Sequence, residues 1–199
     1  MNCTTTAALQ ALYRYVQDAD LWTWALPDSK AFHAGLNASS MEYDARKNPG
    51  IWAALEGLDP ETLKLQGSRE LAVQQVTRDR VLRTAFPIAL PGSLCGQRGL
   101  GTLLEDDDAL GARIRSTLGN DLASRAAELE GFAAVGVVAY REAGMPSDAV
   151  KLSFRSVGGL DVGAAAQAIG GGGHAAAAAG VVPKAVFEEM VQAAAADGE

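Results

Sequence analysis

Two short stretches carry residue types whose spacing suits anion chemistry. Gly170-Gly171-Gly172-Gly173-His174 is followed by five alanines, Ala175 to Ala179, and by Gly180. Consecutive glycines let backbone amides approach an anion closely, and a helix built from the alanines would add its positive end. A phosphate or carboxylate there would also be within reach of His174. The same residues can equally form a turn between packed elements, with His174 hydrogen-bonded in place. Upstream lies Ser153-Phe154-Arg155-Ser156. Strand alternation places Ser153 and Arg155 on one face and Phe154 on the other, so a hydroxyl and a guanidinium can grip one phosphate while Phe154 packs a core. A surface arginine on an ordinary strand is the plainer reading.

The elements that would position these residues follow from apolar spacing and from breakers. Thr4 to Trp24 reads as a helix running into a loop, with Leu9, Leu12, Tyr13 and Val16 on one side. Asp28 or Ser29 can cap a second helix that reaches about Leu36, and Asn48-Pro49-Gly50 is a break. Ile51 to Leu58 and Pro60 to about Thr84 are helical, with Asp59 as a cap and Pro60 in the first turn. Phe86 to Leu90 then reads as a strand that Pro87 confines to an edge or a start. Asp108 to Leu129 is one or two helices around Gly119-Asn120, and Glu105 to Asp108 is a solvated acidic run rather than a metal site. Phe132 to Tyr140 is a buried strand and Val150 to Ser156 an alternating one. Asp161 to Ile169 is a helix of small residues, Val181 to Val182 a short edge strand, and Pro183 to Ala196 a closing helix. The fold class expected is α/β: a helical N-terminal connector over residues 1–84, then a small mixed-sheet α/β domain over residues 85–199.

Composition bounds the function. The chain has 199 residues, 48% of them hydrophobic and 21% charged, enough for a core without staples. Cys3 and Cys95 are two thiols rather than a disulfide framework, which fits an intracellular protein of the cytoplasm or an organelle stroma. No secretory signal precedes the first helix, and the alanine-rich stretch from Ala164 is interrupted by Gln167, the glycines and His174, so no membrane span is expected. A formal net charge of -7 argues against binding extended nucleic acid, which needs a basic face, but allows a short or end-bound nucleotide.

Taken together, the stretch Lys151 to Gly180 (KLSFRSVGGLDVGAAAQAIGGGGHAAAAAG) resembles the C-terminal substrate-binding domain of the Asp-His-His (DHH) phosphoesterase family. Members carry a Ser-x-Arg-Ser strand, an Asp-Val helix start and a Gly-Gly-Gly-His turn. Tyr15 to Ser29 (YVQDADLWTWALPDS) is similar to the family's Asp-x-Asp-Leu-Trp segment, and Ser116 to Ala123 (STLGNDLA) to its Leu-Gly-Asn-x-Leu-Ala segment. The resemblance implies that residues 1–84 are the remnant of a catalytic domain plus connector helices and that residues 85–199 hold the end of a substrate. In such proteins manganese or another divalent metal activates water for attack on a phosphoester. By position, Asp18 resembles a metal-ligand aspartate, with Asp20 as the alternative, and Ser153, Arg155, Gly171, Gly172, Gly173 and His174 resemble the substrate grip. Capping and solvation are the plainer roles for Asp18 and Asp20.

The departures are as informative. There is no Asp-His-His string and no earlier Asp-x-Asp motif, and the two histidines are His33 and His174. Five alanines stand before Gly180 where the family usually has four residues. The chain is thus expected to lack most of the metal centre, not to bind metal tightly, and to bind a nucleotide or short oligonucleotide end, whether as a short protein or as a piece of a longer hydrolase. Two other readings stand beside it: an active phosphodiesterase completed by a homodimer or a partner chain that supplies the missing domain, and a non-enzymatic interaction protein. A helix exposing Leu9, Leu12, Tyr13 and Val16 would present a partner with an apolar patch.

Overall fold

A computed structural model describes residues 3–21, 23–104 and 109–196. Trp22 and the acidic run Glu105 to Asp108 lie outside the described residues, as does the side chain of Cys3; Cys95 is exposed. The architecture is α/β, helical at first and then a mixed six-stranded sheet with helices. Contacts divide the chain into two compact units, residues 1–76 and 77–199.

The first unit contains α1 (Cys3–Asp20), α2 (Ser29–Ala38), α3 (Ile51–Glu56) and the start of α4 (Pro60–Leu82). Asp59 caps α4 as its position suggests, accepting from the Thr62 amide at 3.0 Å and the Glu61 amide at 3.4 Å. Asp28 does not cap α2 through its side chain; its backbone sits in the left-handed region, and its carbonyl accepts from the Phe32 amide instead. Leu12, Phe32, Leu36 and Leu63 form the core, with Leu9, Tyr15 and Val16 packed against it. The buried arc of α1 is therefore centred on Leu12, and Tyr13 falls beyond its edge, 63% exposed. Tyr15 takes the place in the core expected of Tyr13, stacking on Phe32 with ring centroids 4.7 Å apart. Leu9, Leu12 and Val16 are thus inward-facing rather than an open patch.

The second unit is built on the strand order β1-β2-β3-β4-β6-β5. The strands are β1 (Phe86–Ala89), β2 (Arg98–Leu103), β3 (Phe132–Tyr140), β4 (Ala149–Ser156), β5 (Gly172–His174) and β6 (Ala177–Pro183). Helix α5 (Ala109–Ala127) joins β2 to β3, the parallel pair, and all other pairings are antiparallel. β1 is an edge strand, where Pro87 leaves no inner ladder bond unmade. Alternation divides the core between the two sheet faces. Val135, Val137, Leu152 and Phe154 point to the side of α6 (Val162–Gln167) and α7 (Lys184–Ala196). Val138 and Tyr140 point to the side of α5, against Ile114, Leu118 and Leu122.

Two sequence expectations are corrected here. The alanines after His174 do not form a helix: Ala177 to Ala179 belong to β6, between β4 and β5. Alanine's helix propensity is worth under about 1 kcal/mol per residue and yields to ladder bonds on both sides. Val181 and Val182 accordingly belong to a seven-residue strand, and the edge position falls to β5. β2 was not evident from the sequence at all, because Arg-Gly-Leu-Gly-Thr-Leu shows no continuous apolar run.

Helix α5 lies against β3 at two glycines. A Cβ on Gly136 would overlap the Gly119 carbonyl oxygen and crowd the Ala123 amide, both backbone groups that cannot turn aside. Gly136→Ala is therefore expected to lower stability by about 1–3 kcal/mol, as overpacked interiors do; a urea titration of the two proteins measures the difference.

Candidate functional site

The register brings the two predicted stretches together. β4 pairs with β6 and β6 with β5, so Arg155, Ala177 and His174 lie in one row across three strands, and Ser153, Ala179 and Gly172 in the next. Directly paired residues project to the same face of an antiparallel sheet, so all six share the α5 side, opposite Phe154. α5 packs over β2, β3 and β4, and β5 and β6 continue the sheet beyond it. The result is a shelf of Ala177, Ala179 and Gly172 with Ser153 and Arg155 at one side and the exposed His174 at the other. At the usual strand spacing, the Arg155 and His174 backbones stand roughly 10 Å apart, room for a phosphate and its sugar.

Arg155 is half-buried and held in place. Its Nη1 donates to the Ser153 hydroxyl at 3.3 Å and to the Phe154 carbonyl at 2.9 Å, and its Nη2 donates to Ser116 Oγ of α5 at 3.3 Å. The side chain runs over Gly119, where any Cβ would press on Arg155 Cγ. Ser116 and Gly119 are thus positioning residues for the arginine, and their signal in the sequence was the Leu-Gly-Asn segment, which had no role there. Ser156 differs from Ser153. It is buried on the opposite face, and its hydroxyl donates to the Leu160 carbonyl at 2.6 Å and the Ala175 carbonyl at 3.4 Å, tying the turn after His174 to the start of α6. Asp161 caps that helix through the amides of Gly163 and Ala164.

The glycines have separate tasks. Gly170 takes φ 75°, a left-handed conformation suited to glycine. Gly171 packs on the backbone of Ala179 and Gly180, and its amide donates to the Ala166 carbonyl at 2.9 Å, so that amide serves the fold. Gly173 faces the backbone of Ala177 and Ala178 just as closely. A Cβ on Gly172 would meet nothing within 4 Å. β6 rather than a helix follows His174, so no helix N-terminus stands at the glycines and β5 presents a strand edge instead.

Asp18 and Asp20 stand in the first unit, at the end of α1. Asp18 is buried, and its carboxylate accepts from Thr23 Oγ1, from the Ala25 amide at 2.9 Å and from the Leu26 amide at 3.2 Å. The Ser29 hydroxyl above all, then Thr23 and the two amides, hold its pKa well below the usual aspartate range. This carboxylate orders the loop in which Trp24 and Asp28 adopt φ of 51° and 59°. Asp20 is exposed. Among the described residues no three His, Cys, Asp or Glu side chains gather as a metal-binding group, and His33 lies on α2, with Nδ1 3.2 Å from the Asn37 amide nitrogen. Both oxygens of Asp18 are engaged by the loop that follows α1. Nor is any described helix long and apolar enough to cross a membrane.

The sheet, its covering α5 and the Arg155 shelf form a small α/β domain. The family model described as DHHA1 domain matches residues 112–197. A pGpG-specific phosphodiesterase, PggH from Vibrio cholerae, is similar in structure at TM-score 0.40 and 12% identity, with 75% of this chain and 51% of that chain covered. The chain spans about half the length of that protein. No curated protein matches the sequence.

Two predictions follow from these geometries. A carboxylate whose folded pKa is depressed adds stability above its unfolded value, and that stability disappears as pH falls through the folded value. Asp18→Asn should therefore melt lower than the parent at pH 7, with the gap narrowing only below the ordinary aspartate value of 3.8. Melting curves of both proteins from pH 7 to pH 2 check this. For the glycines, Gly171→Ala should lower the melting temperature by several degrees, about what 1–2 kcal/mol produces in a chain of this size, whereas Gly172→Ala should leave it within a degree or two of the parent.

Proposed function

We propose that this chain is a DHH phosphoesterase-related protein that binds the phosphate-bearing end of a nucleotide or short oligonucleotide on the Arg155 shelf. Residues 85–199 are the substrate-binding domain in this reading, and residues 1–84 the remnant of a catalytic domain with its connector helices. The observation that carries it is the row Arg155–Ala177–His174: a guanidinium and an imidazole across a floor of small residues, on a sheet face that α5 leaves open beyond β4. Arginine presents paired donors to phosphate oxygens, and the Ser153 hydroxyl adds a further donor beside it. The bare floor lets a sugar or base lie flat against the strands.

Hydrolysis is a separate matter. DHH phosphoesterases use divalent metals, and among the described residues no three His, Cys, Asp or Glu side chains gather as a metal-binding group. Our reading is binding without a complete metal centre, and metal-independent affinity is its signature. The alternative, an active phosphodiesterase completed by a partner chain or by a homodimer, is favoured by the same shelf, since a substrate grip is of use to a neighbouring catalytic centre.

The test is titration of a labelled two- to five-nucleotide RNA and of a mononucleotide, with and without manganese. Binding is expected in both conditions, and Arg155→Ala should weaken it at least tenfold while the protein stays folded, the loss typical of a charged hydrogen bond. Unchanged affinity in Arg155→Ala, or no binding by the parent protein, would favour a non-enzymatic interaction protein. Hydrolysis by the isolated chain with added manganese would favour the active enzyme.

A further inference from the structure

Within the Leu118-Gly119-Asn120 segment of α5, two residues have tasks in the fold. Leu118 is buried in the core against β3, and Gly119 lies beneath the Arg155 side chain. Asn120 is half-buried, and its carboxamide takes part in no side-chain hydrogen bond among the described residues.

Helix geometry fixes which way Asn120 faces. It follows Ser116 by four positions, so the two share a face of α5, and on that face Ser116 Oγ accepts from Arg155 Nη2 at 3.3 Å. The opposite flank of α5 is turned to α4, where Asp121 pairs with Arg78 at 3.0 Å and Arg125 Nη1 donates to the Leu82 carbonyl at 2.9 Å. The helix also runs counter to β3. Toward its start the Arg115 guanidinium sits 3.9 Å from the centroid of the Tyr140 ring and pairs with Glu142, which Lys151 also contacts. One turn later Gly119 meets Gly136 and Arg155, themselves paired between β3 and β4. Continuing in that direction, Asn120 stands at the row Arg155–Ala177–His174 rather than at the row Ser153–Ala179–Gly172.

We propose that Asn120 is a further ligand-binding side chain of the shelf, and that its carboxamide hydrogen-bonds a sugar hydroxyl of the nucleotide whose phosphate is held by Arg155. The inference rests on the phosphate-binding reading of the shelf and adds the place of the sugar. Position is the first support. Arg155 leans back along β4 until its Nη atoms reach Ser153 and Ser116, so a phosphate on the guanidinium lies toward the Ser153 row. Asn120 is one helical turn beyond Ser116, about 6 Å of rise, which sets it level with the group bonded to that phosphate. Chemistry is the second support. A carboxamide offers donors and an acceptor together, as a hydroxyl does, whereas a phosphate oxygen accepts alone and would leave the Asn120 carbonyl unmatched. Between Asn120 and His174 the floor is Ala177, whose single methyl group leaves room for a sugar ring.

Isothermal titration of adenosine 5′-monophosphate and of 2′,3′-dideoxyadenosine 5′-monophosphate tests this. The parent protein is expected to bind the ribonucleotide about three- to tenfold more tightly, the effect of one neutral hydrogen bond. Asn120→Ala should remove that preference by weakening the ribonucleotide alone, while Arg155→Ala should weaken both ligands. If the parent binds the two equally, or if Asn120→Ala weakens both by one factor or leaves the preference intact, the role of Asn120 is overturned while the shelf stands. If the parent binds neither ligand, or Arg155→Ala leaves both unchanged, the shelf falls and the role of Asn120 with it. Alanine is the better helix former at this position, so Asn120→Ala is expected to stay folded. Should it melt early, Asn120→Leu, similar in shape and without a hydrogen-bonding group, supplies the same comparison.

Discussion

The ladder between β4, β6 and β5 is the constraint on which the candidate site depends. Arg155 and His174 are nineteen positions apart in the chain, and only the antiparallel pairing through Ala177 sets them in one row. That pairing needs a middle strand thin enough for its neighbours to close on. Gly171 and Gly173 approach the β6 backbone to distances that no Cβ permits, and Gly180 is packed under Ile169. A shift of one residue in this register would turn Ser153 and Arg155 away from His174, because successive side chains face opposite sides. The small residues are thus the condition for the charged ones to meet.

A second constraint acts from the other side of the shelf. α5 approaches β3 closely enough for Gly136 to pack against the Gly119 carbonyl, and Ser116 of the same helix reaches the Arg155 guanidinium. The helix that completes the parallel crossover from β2 to β3 is therefore also the wall against which the arginine is ordered. A side chain fixed in this way loses less rotamer freedom when it takes up a ligand than a free surface arginine does. On the far face Phe154, Leu152 and Val162 carry the core, so the strand that presents Arg155 is buried on its reverse side.

Two charged clusters share this strand but differ in state. At Arg155 the guanidinium is oriented by neutral partners, Ser153, Ser116 and a carbonyl. At Lys151 the cation is matched by Glu142, which holds the lysine pKa above its usual value chiefly through their hydrogen bond. In the first unit Asp18 shows the opposite arrangement: an anion surrounded by hydroxyls and amides, ordering a loop through the left-handed Trp24 and Asp28.

Much of the architecture was legible in local pattern. Phe132 to Tyr140 is valine-rich and bounded, and forms β3 over those residues; Asp59 and Asp161 precede helices and cap them; Pro87 marks an edge. Alternation also placed Ser153 and Arg155 on one face, opposite Phe154. These features depend on neighbours one to four residues away, where propensity, capping and period act. Other features were settled by residues far along the chain. Ala175 to Ala179 reads as helix by composition, yet pairing on both sides makes Ala177 to Ala179 strand. Tyr13 and Tyr15 are equally suited to a core, and the position of Phe32 chooses Tyr15. The sequence by itself determined the α/β class and most element boundaries and singled out the candidate side chains of the shelf, because these follow from short-range rules. The tertiary structure alone decided that His174 joins Ser153 and Arg155 on their face, which glycine amides serve the fold, and that Arg115, Glu142 and Lys151 meet over Tyr140, because strand register and helix docking are set by long-range packing that no local window contains.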